Sequence, residues 1–301
     1  MAVPFPRELV QPLLSSAVST STPWLLELMR VQAARKRPRD LLEQFGRDSF
    51  VAPGVLDQRL THQLDGMALA AADEYEALQL SPVAPLGVCS ALAATSQDRT
   101  LSALRGTEVV SDPTNVLALE CARRLLAQPS AAVRLCTVHQ VLRAQPLPPR
   151  AGHTRHFRMF ALVDAGPGSA EDGFELDAIV RLLKVFDRLL DLASAQLPCV
   201  YPDRRVLVRT DEARATLGTR LCERLRRELP DIALARESFS SAYYAGVRVG
   251  FGPHTPAGEF CPIGDIGVFD WMAKLTSHRR MRFLAGGFGL QLLPLLFGQP
   301  D

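Results

Sequence analysis

Val133 to Val163 reads VRLCTVHQVLRAQPLPPRAGHTRHFRMFALV, and this stretch decides the fold. Its two ends, Val133 to Leu142 and His156 to Val163, alternate or cluster β-branched and aromatic side chains, as strands with a face on a core do. Between them, Pro146 to Thr154 carries prolines, a glycine and basic residues, including Arg150 and His153, that close the pair as a long turn. The spacing therefore predicts an antiparallel hairpin with a basic loop.

Working outward, Ser111, Asp112 and Thr114 are helix-start residues in front of Asn115 to Gln128, where Val116, Leu117, Leu119, Ala122, Leu125 and Leu126 give an apolar face. Upstream, Ala84 to Ser102 is small-residue text that assigns no element. Asp65 to Leu80 is Ala-rich and predicts a helix. Pro23 to Glu43 carries helical spacing with the basic run Arg35, Lys36, Arg37 and Arg39, a solvated face and helix end more than a nucleic-acid patch. Downstream of a Gly/Ser/Asp linker at Gly166 to Gly173, the pattern predicts helix Glu175 to Leu197, strand Val206 to Val208, helix Glu212 to Leu229 and strand Ile232 to Ala235. β-type sequence returns at Ala242 to Phe251, and the chain closes on a strand at Arg282 to Ala285 and an apolar helix to Phe297. The whole predicts an α/β (α+β) fold with a mixed, mostly antiparallel sheet of about six or more strands flanked by helices.

The 301 residues are 47% hydrophobic and 22% charged, a globular composition. Thirty-four basic against thirty-two acidic residues leave +2, too balanced for a protein that grips long nucleic acid through its phosphates. Six scattered cysteines have neither zinc-ligand spacing nor a disulfide framework, so no metal site is expected. Prolines and charges break the N-terminal stretch where a signal peptide needs an apolar run, and no span suits a bilayer. A cytoplasmic protein is expected.

Four segments carry the chemistry. In the hairpin, Arg143-Ala-Gln145, the loop through Arg155, and His156-Phe-Arg-Met-Phe160 resemble the second class-defining motif of class II aminoacyl-tRNA synthetases, an Arg-x-Glu, a loop, and an Arg or His before a Phe. A planar guanidinium on a rigid strand suits a carboxylate and an α-phosphate. By that resemblance Arg143, Gln145, Arg155, His156 and Phe160, with Gly287 and Gly289, would hold a nucleotide, Phe160 by stacking on adenine. Read alone, the segment is a basic hairpin with a packed Phe. Val109-Val-Ser-Asp112-Pro-Thr114 resembles the histidyl-type Leu-Arg-Pro-Glu-x-Thr that holds a substrate's α-amino group; a plain N-cap explains the same residues.

Ala242-Tyr243-Tyr244-Ala245-Gly246 resembles the Asp-Tyr-Tyr-Thr-Gly of histidyl-tRNA synthetases, and Gly264-Asp-Ile-Gly267-Val-Phe269-Asp270 the Gly-Gly-Arg-Tyr-Asp that follows it. The implied amino-acid site is Asp112, Thr114, Arg143, Tyr243, Tyr244, Gly246, Gly267 and Asp270. Ala285-Gly286-Gly287-Phe288-Gly289-Leu290-Gln291-Leu292 resembles the third class motif, whose glycines let ATP approach a strand-to-helix turn.

The departures point away from catalysis. Leu292 stands where the family places the arginine of the γ-phosphate, and Phe239 where histidyl enzymes place an arginine before the tyrosine pair. Preorganised charge of that kind carries orders of magnitude of rate. No catalytic residue is therefore assigned, and ATP with magnesium is expected only if the nucleotide site is retained. The resemblance implies one synthetase-like core domain over 1–301 without the anticodon-binding domain, a homodimer whose first motif falls within Arg35 to Ala84, and no tRNA contact. A histidyl-type core that keeps its amino-acid pocket resembles the regulatory subunit of ATP phosphoribosyltransferase, which senses histidine and works on a short-form catalytic subunit. The alternative is a synthetase-like ligase that activates an amino acid with ATP, with Arg143, Arg155, Arg158 and Arg248 on the phosphates.

Overall fold

The computed structural model describes residues 7–146, 152–255 and 257–298. Three helices come first, α1 (Arg7–Ser15), α2 (Val18–Ala34) and α3 (Pro38–Arg47), followed by α4 (Gln58–Ala71). Short strands β1 (Glu76–Ala77), β2 (Val83–Pro85), β3 (Ser102–Ala103) and β4 (Thr107–Val109) lead to α5 (Pro113–Ala127). The long hairpin is β5 (Val133–Leu142) and β6 (His156–Pro167), in register from Val133 opposite Ala165 to Leu142 opposite His156. Then come α6 (Gly173–Gln196), β7 (Arg205–Thr210), α7 (Ala215–Glu228), β8 (Ala233–Ser238), β9 (Val247–Gly252), β10 (Gly264–Phe269), α8 (Trp271–Thr276), β11 (Met281–Gly289) and α9 (Leu292–Phe297).

Eight strands form one sheet in the order β1-β5-β6-β11-β10-β9-β7-β8. Only the edge pairs β1/β5 and β7/β8 are parallel; the six central strands are antiparallel neighbours. The expected mixed, mostly antiparallel sheet is present. A separate three-stranded sheet, β2-β4-β3, has β2 and β3 at the two ends of the stretch Ala84 to Ser102, to which the sequence assigns no element, and β4 beyond it.

Strand alternation sorts the core into two layers. On one face Phe160 and Leu162 of β6, with Phe251 and Phe288, meet α4, α6 and α7. Phe186 of α6 is the hub there, with ring centroids 5.1 Å from Phe288 and 6.4 Å from both Phe160 and Phe251. Fully buried Leu and Phe side chains of this kind contribute about 1.5–3 kcal/mol each. On the other face Ala161, Val163, Phe283 and Ala285 meet α5 and α8.

Several boundaries differ from the sequence reading for local reasons. The Asp65–Leu80 helix starts earlier, where Asp57 accepts a 2.7 Å hydrogen bond from the Arg59 amide, and stops at Ala71 because Glu76 and Ala77 pair with β5. The single helix expected over Pro23–Glu43 is two, split before Pro38, whose ring disfavours a helical conformation at Arg37. Gly246 adopts φ +81°, so the strand expected from Ala242 begins only at Val247 and the tyrosine pair lies in a loop. β11 runs four residues beyond Ala285, which places the glycines inside the sheet.

Candidate functional site

A cavity of about 560 Å³ opens on the α5 side of the central strands. Its floor is the odd-numbered residues of three neighbouring strands: Phe157 and Met159, Ala285, Gly287 and Gly289, Asp265 and Gly267. Of the residues singled out from the sequence, Asp112, Thr114, Arg143, Gln145, Tyr243, Tyr244, Gly267, Gly287 and Gly289 line it together.

At one end the side chains are incompletely partnered. Asp112 caps α5: its Oδ1 accepts from the Thr114 amide (3.0 Å) and the Thr114 hydroxyl (2.7 Å). Among the described residues Oδ2 has no hydrogen-bond or ion-pair partner, so the N-cap role and an ammonium-binding role coexist in one carboxylate. Arg143 follows β5 directly. Its Nε donates to the Ser111 carbonyl (3.0 Å), its guanidinium lies 5.1 Å from the centroid of Phe157, and no carboxylate among the described residues pairs with it.

The two tyrosines part company. Tyr244 donates from its hydroxyl to Asp265 Oδ2 (2.7 Å), and Asp265 Oδ1 accepts from Arg248 Nε (2.9 Å). Its ring covers Gly267, where a Cβ would fall 2.4 Å from the ring, so no side chain fits there. Tyr243 is held edge-on by Tyr244, Phe269 and Trp271, with centroids 4.8, 5.3 and 6.0 Å away, and its hydroxyl has no hydrogen-bond partner among the described residues. Burial pushes the Tyr243 phenol up, and the nearby Asp112 charge adds to it while Arg143 opposes. This hydroxyl therefore sits within the fields of the carboxylate and the guanidinium. Asn115, 2% exposed, adds a buried Oδ1 that has no hydrogen-bond partner among the described residues, beside the same helix end.

At the other end the chain packs against itself. The Met159 methyl lies over Gly287, 2.2 Å from where a Cβ would be. Leu292 contacts both Gly289 and Gly152, and Gln291 Nε2 donates to the Gly152 carbonyl (2.7 Å) and the Thr154 hydroxyl (3.1 Å). Gly152 and Thr154 are thereby fastened to the start of α9. Gln145 accepts from Arg99 Nε (2.6 Å). This end is lined by apolar groups: Leu292 brings no charge to the start of α9, and the Met159 methyl lies over the strand surface left by Gly287. Among the described residues no three His, Cys, Asp or Glu side chains converge as metal ligands.

Five residues chosen from the sequence lie elsewhere. Phe160 points to the opposite face, into the α6 core, because β6 alternates and its neighbours Phe157 and Met159 take the cavity side. Arg155 donates to the Ala144 carbonyl (2.9 Å) and stacks on Phe50 (4.9 Å). His156 binds Gln140 (2.8 Å) and the Ala52 carbonyl (2.7 Å). Gly246 is a turn residue against Asp211, and Asp270 pairs with Lys274 (2.9 Å) at the surface. Of the loop's basic residues, Arg150 lies outside the described residues. Arg158 and Arg248 are ion-paired to Asp65 and Asp265.

The sequence reading missed Phe157, Asn115, Asp265 and the whole wall from Cys89 to Arg99. That wall is shaped by Glu108, 1% exposed, which accepts from the Gly87 amide (2.8 Å), the Cys89 amide (3.0 Å) and Gln97 Nε2 (2.7 Å). Three donors on one buried carboxylate satisfy the charge and fix the loop. In sequence Glu108 is an ordinary acid, and only the structure shows it as the middle residue of β4.

No protein-family profile and no curated protein matches the sequence. Solved structures do match in fold. An ATP phosphoribosyltransferase regulatory subunit/histidyl-tRNA synthetase from Bacillus halodurans superposes with a TM-score of 0.57 at 13% identity, covering 81% of each chain. A histidyl-tRNA synthetase from a Nostoc species gives 0.59 at 13% identity, covering 81% of this chain and 73% of that one. A protein assigned as a threonyl-tRNA synthetase from Aeropyrum pernix gives 0.60 at 12%, covering 78% and 58%. The chain has the class II aminoacyl-tRNA synthetase-like fold. The similar scores for histidyl and threonyl proteins mean that backbone likeness alone does not select an amino acid.

Proposed function

We propose that this protein is a histidyl-tRNA synthetase-like paralogue that binds an amino acid, histidine by its resemblance, without efficient adenylation, and that it serves as the regulatory subunit of an ATP phosphoribosyltransferase. One observation carries the reading. The incompletely partnered groups of the cavity, Asp112, Tyr243 and Arg143, suit an ammonium and a carboxylate, while Met159 and Leu292 line with apolar groups the end where the resemblance would place a nucleotide. A zwitterion satisfies both charges at once, which either charge alone in a half-buried pocket lacks.

Regulation would follow from differential affinity: an amino acid that binds one arrangement of the assembly better than another shifts the balance between them, and a bound short-form catalytic subunit reads the shift. The test mixes the protein with such a catalytic subunit and measures phosphoribosyl transfer with and without histidine. Histidine-dependent inhibition that vanishes in Arg143→Ala supports the reading; an unaffected catalytic subunit contradicts it.

The ligase alternative retains one point in its favour, the unpaired Arg143 stacked on Phe157 at the cavity floor. Amino-acid-dependent exchange of pyrophosphate into ATP would promote it. With Leu292 and Phe239 in place, no exchange is expected.

A further inference from the structure

Besides His153, four charged side chains line the cavity: Asp112, Asp265, Arg99 and Arg143. Asp265 is already answered by Arg248, 2.9 Å away, and by the Tyr244 hydroxyl. That leaves one carboxylate, Asp112, against two guanidiniums, neither of which has a carboxylate partner among the described residues. A zwitterionic amino acid brings one charge of each sign. It answers Asp112 and Arg143 and leaves Arg99 over.

The backbone places Arg99 beside the hairpin. It ends the short 3-10 turn Gln97–Arg99, and its carbonyl accepts from the Ala144 amide (2.9 Å), which ties the cavity wall to the chain that follows β5. The preceding amide, of Arg143, donates the other way, to the Arg155 carbonyl (2.8 Å), as consecutive amides of an extended strand do. Arg143 and Gln145 therefore project to one side, and both line the cavity. Gln145 Oε1 accepts from Arg99 Nε (2.6 Å), which holds the Arg99 side chain on the wall; its terminal nitrogens have no partner among the described residues. Arg143 Nε in turn reaches the Ser111 carbonyl (3.0 Å), next to Asp112. The charges thus run in the order Asp112, Arg143, Arg99, with Gln145 joining the last two.

The space allows a ligand longer than one amino acid. A cavity of about 150 Å³ holds a benzene ring, close in size to an imidazole, whereas this one has about 560 Å³. We infer that the ligand carries one ammonium and two acidic groups, the second of which is taken by Arg99. An acidic amino acid has this chemistry, and so does a short peptide with an acidic second residue. The inference rests on the amino-acid clamp of Asp112 and Arg143 proposed above and names the class of ligand that the clamp takes. A nucleoside polyphosphate brings acidic groups without an ammonium and sets them against Asp112. Arg99 is exposed, so salt screens its charge and its effect is modest.

Calorimetric titration of the full chain at low salt tests it with two pairs of probes, glutamate against glutamine and histidyl-glutamate against histidyl-glutamine, and with histidine alongside. In at least one pair the acidic member is expected to bind about fivefold more tightly than its amide, a preference that shrinks at high salt. The pair that shows it distinguishes a free amino acid from a peptide. Arg99→Gln should bring the ratio to about one with an unchanged thermal midpoint, and Arg99→Lys, which keeps the charge, should retain most of the preference. Equal affinities within both pairs, or a preference that survives Arg99→Gln, overturn the inference, and histidine binding in the same series leaves the amino-acid site standing. Failure of all four probes and of histidine overturns both.

Discussion

The two ends of the cavity differ in how completely the chain satisfies itself. Among the described residues Asp112 Oδ2, the Tyr243 hydroxyl and Asn115 Oδ1 lack partners and Arg143 has no carboxylate, and for a buried acceptor such as Asn115 Oδ1 the lack costs about 1–3 kcal/mol. Around Gly287, Leu292 and Gln291, methyl groups fill the strand surface and the polar groups are bonded within the chain. Incomplete satisfaction at one end and dense packing at the other are what the proposed amino-acid site without efficient adenylation calls for.

The comparison breaks most visibly at Arg143. Arg143→Ala removes a guanidinium that has no carboxylate partner among the described residues and should weaken amino-acid binding by about 3 kcal/mol, roughly 100-fold, in a calorimetric titration. On the packed side, Leu292→Ala should lower stability by about 2 kcal/mol in urea unfolding and leave amino-acid affinity within a few-fold, because Leu292 packs on Gly289 and Gly152 and not on the clamp. Equal effects on both measurements would dissolve the distinction between the ends.

Asp112→Asn separates two roles of one residue. Asparagine caps a helix nearly as well as aspartate, so the thermal midpoint should hold while amino-acid affinity falls by about 1–3 kcal/mol. Loss of stability with unchanged affinity would make Asp112 a cap alone. Asn115→Leu sharpens the argument from the other direction: removing a buried acceptor that has no partner should raise the stability of the ligand-free protein by about 1 kcal/mol and weaken binding. A destabilised variant would contradict the assignment of Asn115 to the ligand.

The smallest effect is electrostatic. Burial, with Arg158 adding to it, holds His139 below the ordinary imidazole value, and its Nε2 has no hydrogen-bond partner among the described residues. As pH falls through about 6.5 the unfolded chain takes up a proton that the folded one does not, so stability declines on acidification. His139→Gln should flatten that decline by some tenths of a kcal/mol between pH 7 and pH 5, measured by urea unfolding at each pH.

How much of this was legible in the sequence follows from which interactions are local. The hairpin strands, α5 and α6 follow from alternation and helical spacing, and Asp112-Pro-Thr114 signals a helix start because capping is decided within three residues. Phe157 and Phe160 lie three apart in one strand, and only the register, Leu142 opposite His156, decides which one faces the cavity. Tyr243 and Tyr244 are adjacent and identical, and their separation into an open and a bonded hydroxyl depends on Asp265, twenty-one residues on from Tyr244. The wall from Cys89 to Arg99 was invisible because it is held by Glu108 rather than by periodicity.

An amino acid is expected to bind where the chain is incompletely satisfied, and to need no nucleotide to do so. Calorimetric titration of histidine, then of the other common amino acids, into nucleotide-free protein tests it most directly. The account predicts one site per chain, with an affinity that saturating magnesium–ATP leaves unchanged. Absence of binding by every amino acid at millimolar concentration, or binding that appears only with ATP, would contradict it.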